Sequence, residues 1–207
     1  MLVGLVLLSL VINTAMIQDK YINCQDTMEE IYFATTNEGK LREVQEILGI
    51  KVKGTSLEID EIQSLDPKKV AVAKARAYFD KLKKPIFVED VSLCFRALGG
   101  LPGTYINDFS KRLGNKGLAD LLLAQKERGA IAITTIVYID TKGEHVFEGK
   151  VKGSIAKKPH GNKGFGWDSI FIPEGETKTF GEMKVSEKNK YSMRAIALKK
   201  FKKYLES

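Results

Sequence analysis

Val-Glu-Asp-Val-Ser-Leu-Cys-Phe-Arg-Ala-Leu-Gly-Gly-Leu-Pro-Gly-Thr-Tyr-Ile, residues 88–106, is the stretch on which the fold turns. The apolar run Ile86-Phe87-Val88 reads as a buried strand, and Glu89 and Asp90 stand where that strand is expected to end. Carboxylates at the carboxyl end of a strand, followed by a loop dense in Gly and Pro, form the usual rim of an α/β ligand crevice. There they are free to hold a metal or accept a proton. The competing account is a strand that simply leaves the core through a solvated turn. What decides between the two is whether other chemistry converges on the same place.

Upstream, Ile31-Tyr32-Phe33-Ala34-Thr35 is a second apolar strand running into Thr36-Asn37-Glu38-Gly39-Lys40. Leu41, Val44, Ile47 and Leu48 then recur at helical spacing and Gly49 stops the helix, with Asn37 as its expected N-cap. The first-turn amides, the hydroxyls of Thr35 and Thr36, Asn37 and the Lys40 ammonium could together cradle a phosphate chain. An ordinary capped helix is the plainer alternative. Neither a Walker A loop nor a Gly-x-Gly-x-x-Gly fingerprint is present. A strand over residues 52–56 follows, then an acidic stretch with Glu58, Asp60 and Glu61. The next helix opens at Asp66-Pro67 and runs to about Leu82. Stepping 100° per residue from Val70 puts Lys74 in one sector with Ala73 and Ala77, so it needs either an anionic partner or a snorkelling path to water.

Downstream, residues 113–128 read as one or two helices, and Ile131 to Ile139 is β-branched enough to be a core strand. Asp140-Thr141-Lys142-Gly143 turns into a partner strand, 145–151, on which His145 is expected at the surface. Phe165-Gly166-Trp167-Asp168 precedes a short strand, Ile170 to Ile172. Its two aromatics could stack on a flat ring while the carboxylate accepts a hydrogen bond from the ring edge, although aromatics so spaced also simply pack. Ser192 is the expected N-cap of a last helix carrying Ala197, Leu198, Phe201, Tyr204 and Leu205 on one face. Arg194 then lies in the first turn, where the helix dipole disfavours it unless an acceptor sits alongside.

At 207 residues and 43% hydrophobic, the chain can bury a full core. The net charge of +7 suits a polyanion, but the basic residues are scattered, so a phosphate-bearing small molecule fits as well as a nucleic acid. Cys24 and Cys94 alone give no disulfide framework and no zinc ligand set, which makes the cytoplasm the default compartment. The apolar run Leu2 to Ile12 resembles a signal h-region but lacks a preceding positive charge and is too short to span a bilayer. Residues 1–27 are therefore expected to be a leader that is disordered or an artefact of start-site choice, with the domain beginning at Met28.

Thr-Thr-Asn-Glu-Gly-Lys (35–40), Val-Glu-Asp with Leu-Gly-Gly-Leu-Pro-Gly-x-Tyr (88–105), Phe-Gly-Trp-Asp (165–168) and Glu-Lys-Asn-x-x-Ser-x-Arg (187–194) occur in that order. Together they resemble the inosine triphosphate pyrophosphatase family, enzymes that hydrolyse ITP, dITP and XTP to the monophosphate and pyrophosphate. The resemblance implies an α/β fold, a mixed central sheet flanked by helices in two lobes with the active-site cleft between them, and a homodimer. It also implies a phosphate loop over Thr35, Thr36, Asn37, Glu38, Gly39 and Lys40 and a phosphate-neutralising Lys74. Mg²⁺ would be held by Glu61 and Asp90, with Glu89 as a possible helper, and Asp90 would also be the general base. Base recognition falls on Phe165, Gly166, Trp167, Asp168, Lys188 and Arg194.

Three departures stand out. Met193 replaces a His that helps to read the purine, Val91 replaces the Ser or Thr after the catalytic Asp, and Ser169 replaces a frequent Pro. Arg194 becomes the remaining donor for a 6-oxo group, and weaker discrimination against ATP and GTP is the expected result. The substrate is expected to be a nucleoside triphosphate, with no stable nucleic-acid partner and no membrane. Action on other modified nucleotides, or nucleotide binding without catalysis, are the alternatives.

Overall fold

The computed structural model describes residues 30–207, of which 31–207 form one unit. The expectations for residues 1–27, the start at Met28 and Cys24 lie outside the described residues. The sheet runs β2-β1-β3-β5-β6-β7, with the two-residue β4 paired to the end of β3. β1 (Ile31–Ala34) lies between β2 (Val52–Thr55) and β3 (Ile86–Phe95), parallel to both. β4 (Pro102–Gly103), β5 (Gly129–Asp140), β6 (Gly143–Ile155) and β7 (Phe171–Pro173) are antiparallel to their neighbours. The helices are α1 (Glu38–Leu48), α2 (Pro67–Leu82), α3 (Ile106–Asp120), α4 (Val185–Tyr191) and α5 (Met193–Leu205). The expected mixed sheet flanked by helices is the observed architecture.

Local chemistry starts and stops these helices. Asn37 accepts a 3.0 Å hydrogen bond from the Lys40 amide, and Gly49 ends α1 at φ 74°, a left-handed conformation that costs glycine nothing. Gly39 keeps that cap intact, because a Cβ there would lie 3.1 Å from Asn37 Oδ1. Asp66 caps α2 through the amides of Lys68 and Lys69, with Pro67 in the first turn.

Alternation along β3 sorts the core into two faces. Phe87 packs with Phe33, Tyr138, Val44 of α1 and Phe201 of α5, whereas Val88 packs with Val137 and with Ala71 and Ala75 of α2. Farther along, Leu93 and Phe95 join a separate cluster with Ile106 and Leu118 of α3, Phe171 and Phe180. The sheet thus carries one core sandwiched between α1/α5 and α2 and another built on α3 and the β7 region. Glu89 and Asp90 fall between them.

The expected end of the strand at Val88 is corrected. β3 continues to Phe95, fully paired with β5, so the two acids sit in mid-strand and the Gly-Pro loop begins only after the short 3-10 turn Arg96–Leu98. The strand survives them because each acid finds a partner or a groove. The helix expected over 113–128 begins instead at Ile106 and ends at Asp120, with a break at Gly114 (φ 64°, ψ 176°). Ile106, Phe109 and Leu113 recur at helical spacing through its first two turns, and Ile106 and Leu118, both fully buried, supply its packing. The strand expected over 170–172 is Phe171–Pro173, after a 3-10 turn at Asp168–Ile170, and α4 had no expectation. His145 does not sit bare on the surface: its Nε2 is 2.7 Å from the Tyr204 hydroxyl and the rings pack at 4.2 Å. α5 crosses β6 closely enough that a Cβ at Gly149 would strike the Met193 carbonyl.

Candidate active site

Two depressions share a wall. A polar groove is lined by Thr35, Thr36, Lys40, Glu61, Lys74, Glu89, Asp90 and Val91, and by Thr104, Asn107, Asp108 and Lys111 of the loop and helix that follow β4. A more apolar pocket is lined by Asn37, Glu43, Phe165, Gly166, Trp167, Asp168, Lys188, Met193 and Arg194. Lys40, Val91 and Asn107 line both.

In the groove, β3 points Asp90 to the α2 face. Lys74, one side of α2, forms an ion pair with Glu61 from the loop after β2. The Asp90 carboxyl is pushed up to about 6, first by burial and then by the charges of Glu61 and Glu89, against the pull of Lys74. Ser92 Oγ lies 3.5 Å from Asp90 Oδ2. A carboxylate that prefers to hold a proton, next to a lysine and a second acid, is poised to exchange one with a ligand.

On the opposite face Glu89 is already committed. Its carboxylate accepts two hydrogen bonds from Arg194, 2.6 Å from Nε and 2.8 Å from Nη2, and pairs with Lys40 at 3.0 Å. Burial would raise this carboxyl, but Arg194 and Lys40 hold it well below the ordinary carboxylate range. Burial likewise opposes the Arg194 charge, and Glu89 together with Glu43, 2.7 Å from Nη1, more than restores it. Oε1 thus accepts from Arg194 and Lys40 and Oε2 from Arg194, so a helper role for Glu89 at a metal would have to share a carboxylate that already holds two cations. Arg194 keeps one N-H on each terminal nitrogen beyond the three in use, and its guanidinium carbon lies 4.9 Å from the centre of the Phe165 ring.

The pocket is shaped by one buried ion pair. Asp168 Oδ2 accepts from the Lys188 ammonium at 2.6 Å and from the Phe165 amide at 2.9 Å, which fixes the loop. Gly164 (φ 77°) must lack a side chain, because a Cβ would collide with Asp168 Oδ2. Phe165, 38% exposed, presents its ring to the cavity with Lys188 Nζ 4.8 Å from its centre. Trp167 behaves differently from expectation: it is buried edge-on against Phe171 at 5.7 Å and belongs to the core, reaching the pocket only as a wall. Met193 is also a buried core residue that lines the pocket without offering a donor.

Of the expected phosphate loop, Thr35, Thr36 and Lys40 line the groove and Asn37 the pocket. Glu38 is exposed on the first turn of α1 and lines neither, and Gly39 faces a third hollow behind Phe165 with Arg42 and Glu46. Glu43 and the α3 face were missed. Glu43 lies three residues after Lys40 on the same side of α1, a spacing that flags shared orientation but no partner. Asn107, Asp108 and Lys111 would have been visible as one helical face had α3 been started at Ile106, with Thr104 in the turn just before it.

The groove presents three ammonium groups and four carboxylates, so it does not by itself attract a polyanion. Among the described residues no three His, Cys, Asp or Glu side chains gather into a metal-holding group. Two carboxylates, Asp90 and Glu61, in an oxygen-rich groove are the donor set of a hard cation that completes its shell with water and ligand phosphates, and Mg²⁺ binds in that way. The residues present fit it.

Comparison with known proteins places residues 31–204 within the model of the Ham1 family. The chain is 41% identical over 186 residues to the inosine triphosphate pyrophosphatase of Kluyveromyces lactis, covering 85% of this chain and 95% of that one. It is 40% identical over 182 residues to the dITP/XTP pyrophosphatase of Methanopyrus kandleri, covering 86% and 97%. The solved structure of the Staphylococcus aureus Ham1 protein superimposes with a TM-score of 0.77 at 27% identity, over 86% of this chain and 98% of that one.

Proposed function

The chain belongs to the Ham1 family, and from that premise we propose that it hydrolyses ITP, dITP and XTP to the nucleoside monophosphate and pyrophosphate. The observation that carries the reading is the shared wall. A charged groove able to take a triphosphate opens beside a pocket with an aromatic ring and fixed polar groups able to take a purine, and Lys40, Val91 and Asn107 border both.

The reaction requires a water oxygen to bond to the α-phosphorus while the bond from that phosphorus to the α,β-bridging oxygen breaks and pyrophosphate leaves. Asp90 accepts the water proton, a task suited to a carboxyl pushed up to about 6. Lys40 and Lys74 exchange their carboxylate partners in part for phosphate oxygens, and Thr35 and Thr36 add hydroxyl donors. Asp90 and Glu61 are the residues that would hold Mg²⁺. When bound, Mg²⁺ would offset phosphate charge in a groove whose own carboxylates outnumber its ammonium groups.

For the base, Phe165 supplies a stacking face, and the spare N-H groups of Arg194 are aimed from a position locked by Glu89 and Glu43. A 6-amino purine would leave such donors unpaired, which is the basis of selectivity for a 6-oxo purine. Met193 removes one donor from that set, so discrimination against ATP is expected to be weaker than a His there would give. A homodimer in the cytoplasm completes the proposal, on the family resemblance and the two-cysteine composition; light scattering in solution tests the dimer.

Incubation with ITP, XTP, GTP and ATP, with and without Mg²⁺, followed by anion-exchange separation of products tests the reading. Inosine monophosphate and pyrophosphate, formed only with Mg²⁺, are expected. Release of orthophosphate and a diphosphate, or no product from any nucleotide, would overturn it.

A further inference from the structure

Thr104, Asn107, Asp108 and Lys111 recur at the spacing of one helical face, and all four line the polar groove. This face of α3 and the loop that bears Thr35, Thr36 and Lys40 line the same groove. The cations of the groove are not equivalent. Lys40 is paired with Glu89 at 3.0 Å and Lys74 is paired with Glu61, but among the described residues Lys111 has no carboxylate within ion-pair distance. Asp108 lines the same groove three residues earlier without engaging it. Lys111 lies nearly two turns into α3, beyond Asn107, the α3 residue that borders both the groove and the pocket. An anion anchored by its base in the pocket and threaded past Asn107 would reach Lys111 one helical turn farther along α3, on the groove side of the shared wall.

We propose that Lys111 binds the terminal phosphate of the substrate and sets the preference for nucleoside triphosphates over diphosphates. The assignment rests on the hydrolase reading above and deepens it. The physical reason is that an unpaired ammonium gives up no existing ion pair when a phosphate arrives, whereas Lys40 and Lys74 each give up part of one. The γ-phosphate lies within the leaving pyrophosphate, so its contact adds binding energy without touching the attacking water.

Steady-state kinetics of Lys111→Ala and Lys111→Arg with ITP and IDP decide the matter. For Lys111→Ala, KM for ITP is expected to rise about tenfold, the scale of one charge-assisted hydrogen bond, with kcat and the kinetics of IDP within about twofold. Lys111→Arg is expected to recover ITP binding. Lys111 is exposed, so thermal unfolding of the variants should match that of the native chain. Equal weakening of ITP and IDP, or no change in either, would overturn the assignment alone. A native chain inactive on both nucleotides would overturn the hydrolase reading and the assignment with it.

Discussion

Glu89 and Asp90 are neighbours in the chain, yet β3 turns them to opposite sides of the sheet and their surroundings drive them to opposite ends of the carboxylate range. On the α1/α5 side, Glu89 is 9% exposed and gripped by Arg194 and Lys40, which hold its carboxyl well below the usual value. On the α2 side, Asp90 meets burial and two other acids, which push it up to about 6. One carboxylate is held by two cations and serves as an anchor between α5, α1 and the sheet. The other is under-compensated and is left for chemistry. A functional acid thus differs from a structural one here in what its face of the strand already contains.

The largest effect is expected from the anchor. Glu89→Gln leaves Arg194 buried with only Glu43 beside it, and breaking a buried pair of this kind costs about 3 kcal/mol, or about 10 °C in the thermal midpoint. Because the folded state holds Glu89 below its ordinary value of 4.5, its contribution is fully present at neutral pH and is lost only as the solution becomes strongly acidic. A midpoint within a degree of the native one would show that Glu89 is no anchor.

Asp90→Asn should do the reverse, sparing the fold and lowering kcat by about a hundredfold or more, the scale for loss of a general base. The native state holds the Asp90 proton more tightly than the unfolded chain does, so its contribution to stability is present below the ordinary value of 3.8 and is lost as the pH rises through about 6. At pH 8 the variant is therefore expected to unfold about 6 °C higher than the native chain. Near-native turnover, or a lower midpoint, would remove the contrast between the two acids.

The pH profile sharpens the same point. With Asp90 as the proton acceptor, kcat/KM should fall about tenfold per unit below about pH 6. That acid limb should vanish in Asp90→Asn, while Glu89 contributes no limb because it stays ionised throughout the range. The smallest effect is expected away from the acids. Met193→His should raise the ratio of kcat/KM for ITP over ATP about fivefold, the value of one added hydrogen bond. An unchanged ratio would show that Arg194, fixed by Glu89 and Glu43, reads the base without help.

Much of this was legible in the residues. The caps at Asn37, Asp66 and Ser192, the proline opening α2 and the glycine closing α1 are local signals, and they fell where expected because capping is decided by atoms two or three residues apart. The four blocks in order marked the groups that the groove and the pocket bring together. What stayed hidden depended on distant partners. The end of β3 was misplaced because two acids look like a strand terminus until Arg194, 105 residues away, is seen to satisfy the first. The start of α3 lay hidden because its apolar period, Ile106, Phe109 and Leu113, follows directly on the Gly-Pro loop, and that Trp167 packs against Phe171 while walling the pocket depends on a partner the local pattern does not show.

The sequence by itself determined the capped helices α1, α2 and α5, the strands that α1 and α2 follow and the residue types that could bind a phosphate chain, since these follow from spacing and short-range hydrogen bonds. Only the tertiary structure decided which carboxylate was spent on ion pairs and which was left in the groove without one among the described residues. The charge state of a buried acid is set by burial and by partners brought from the far ends of the chain, and no local pattern encodes either.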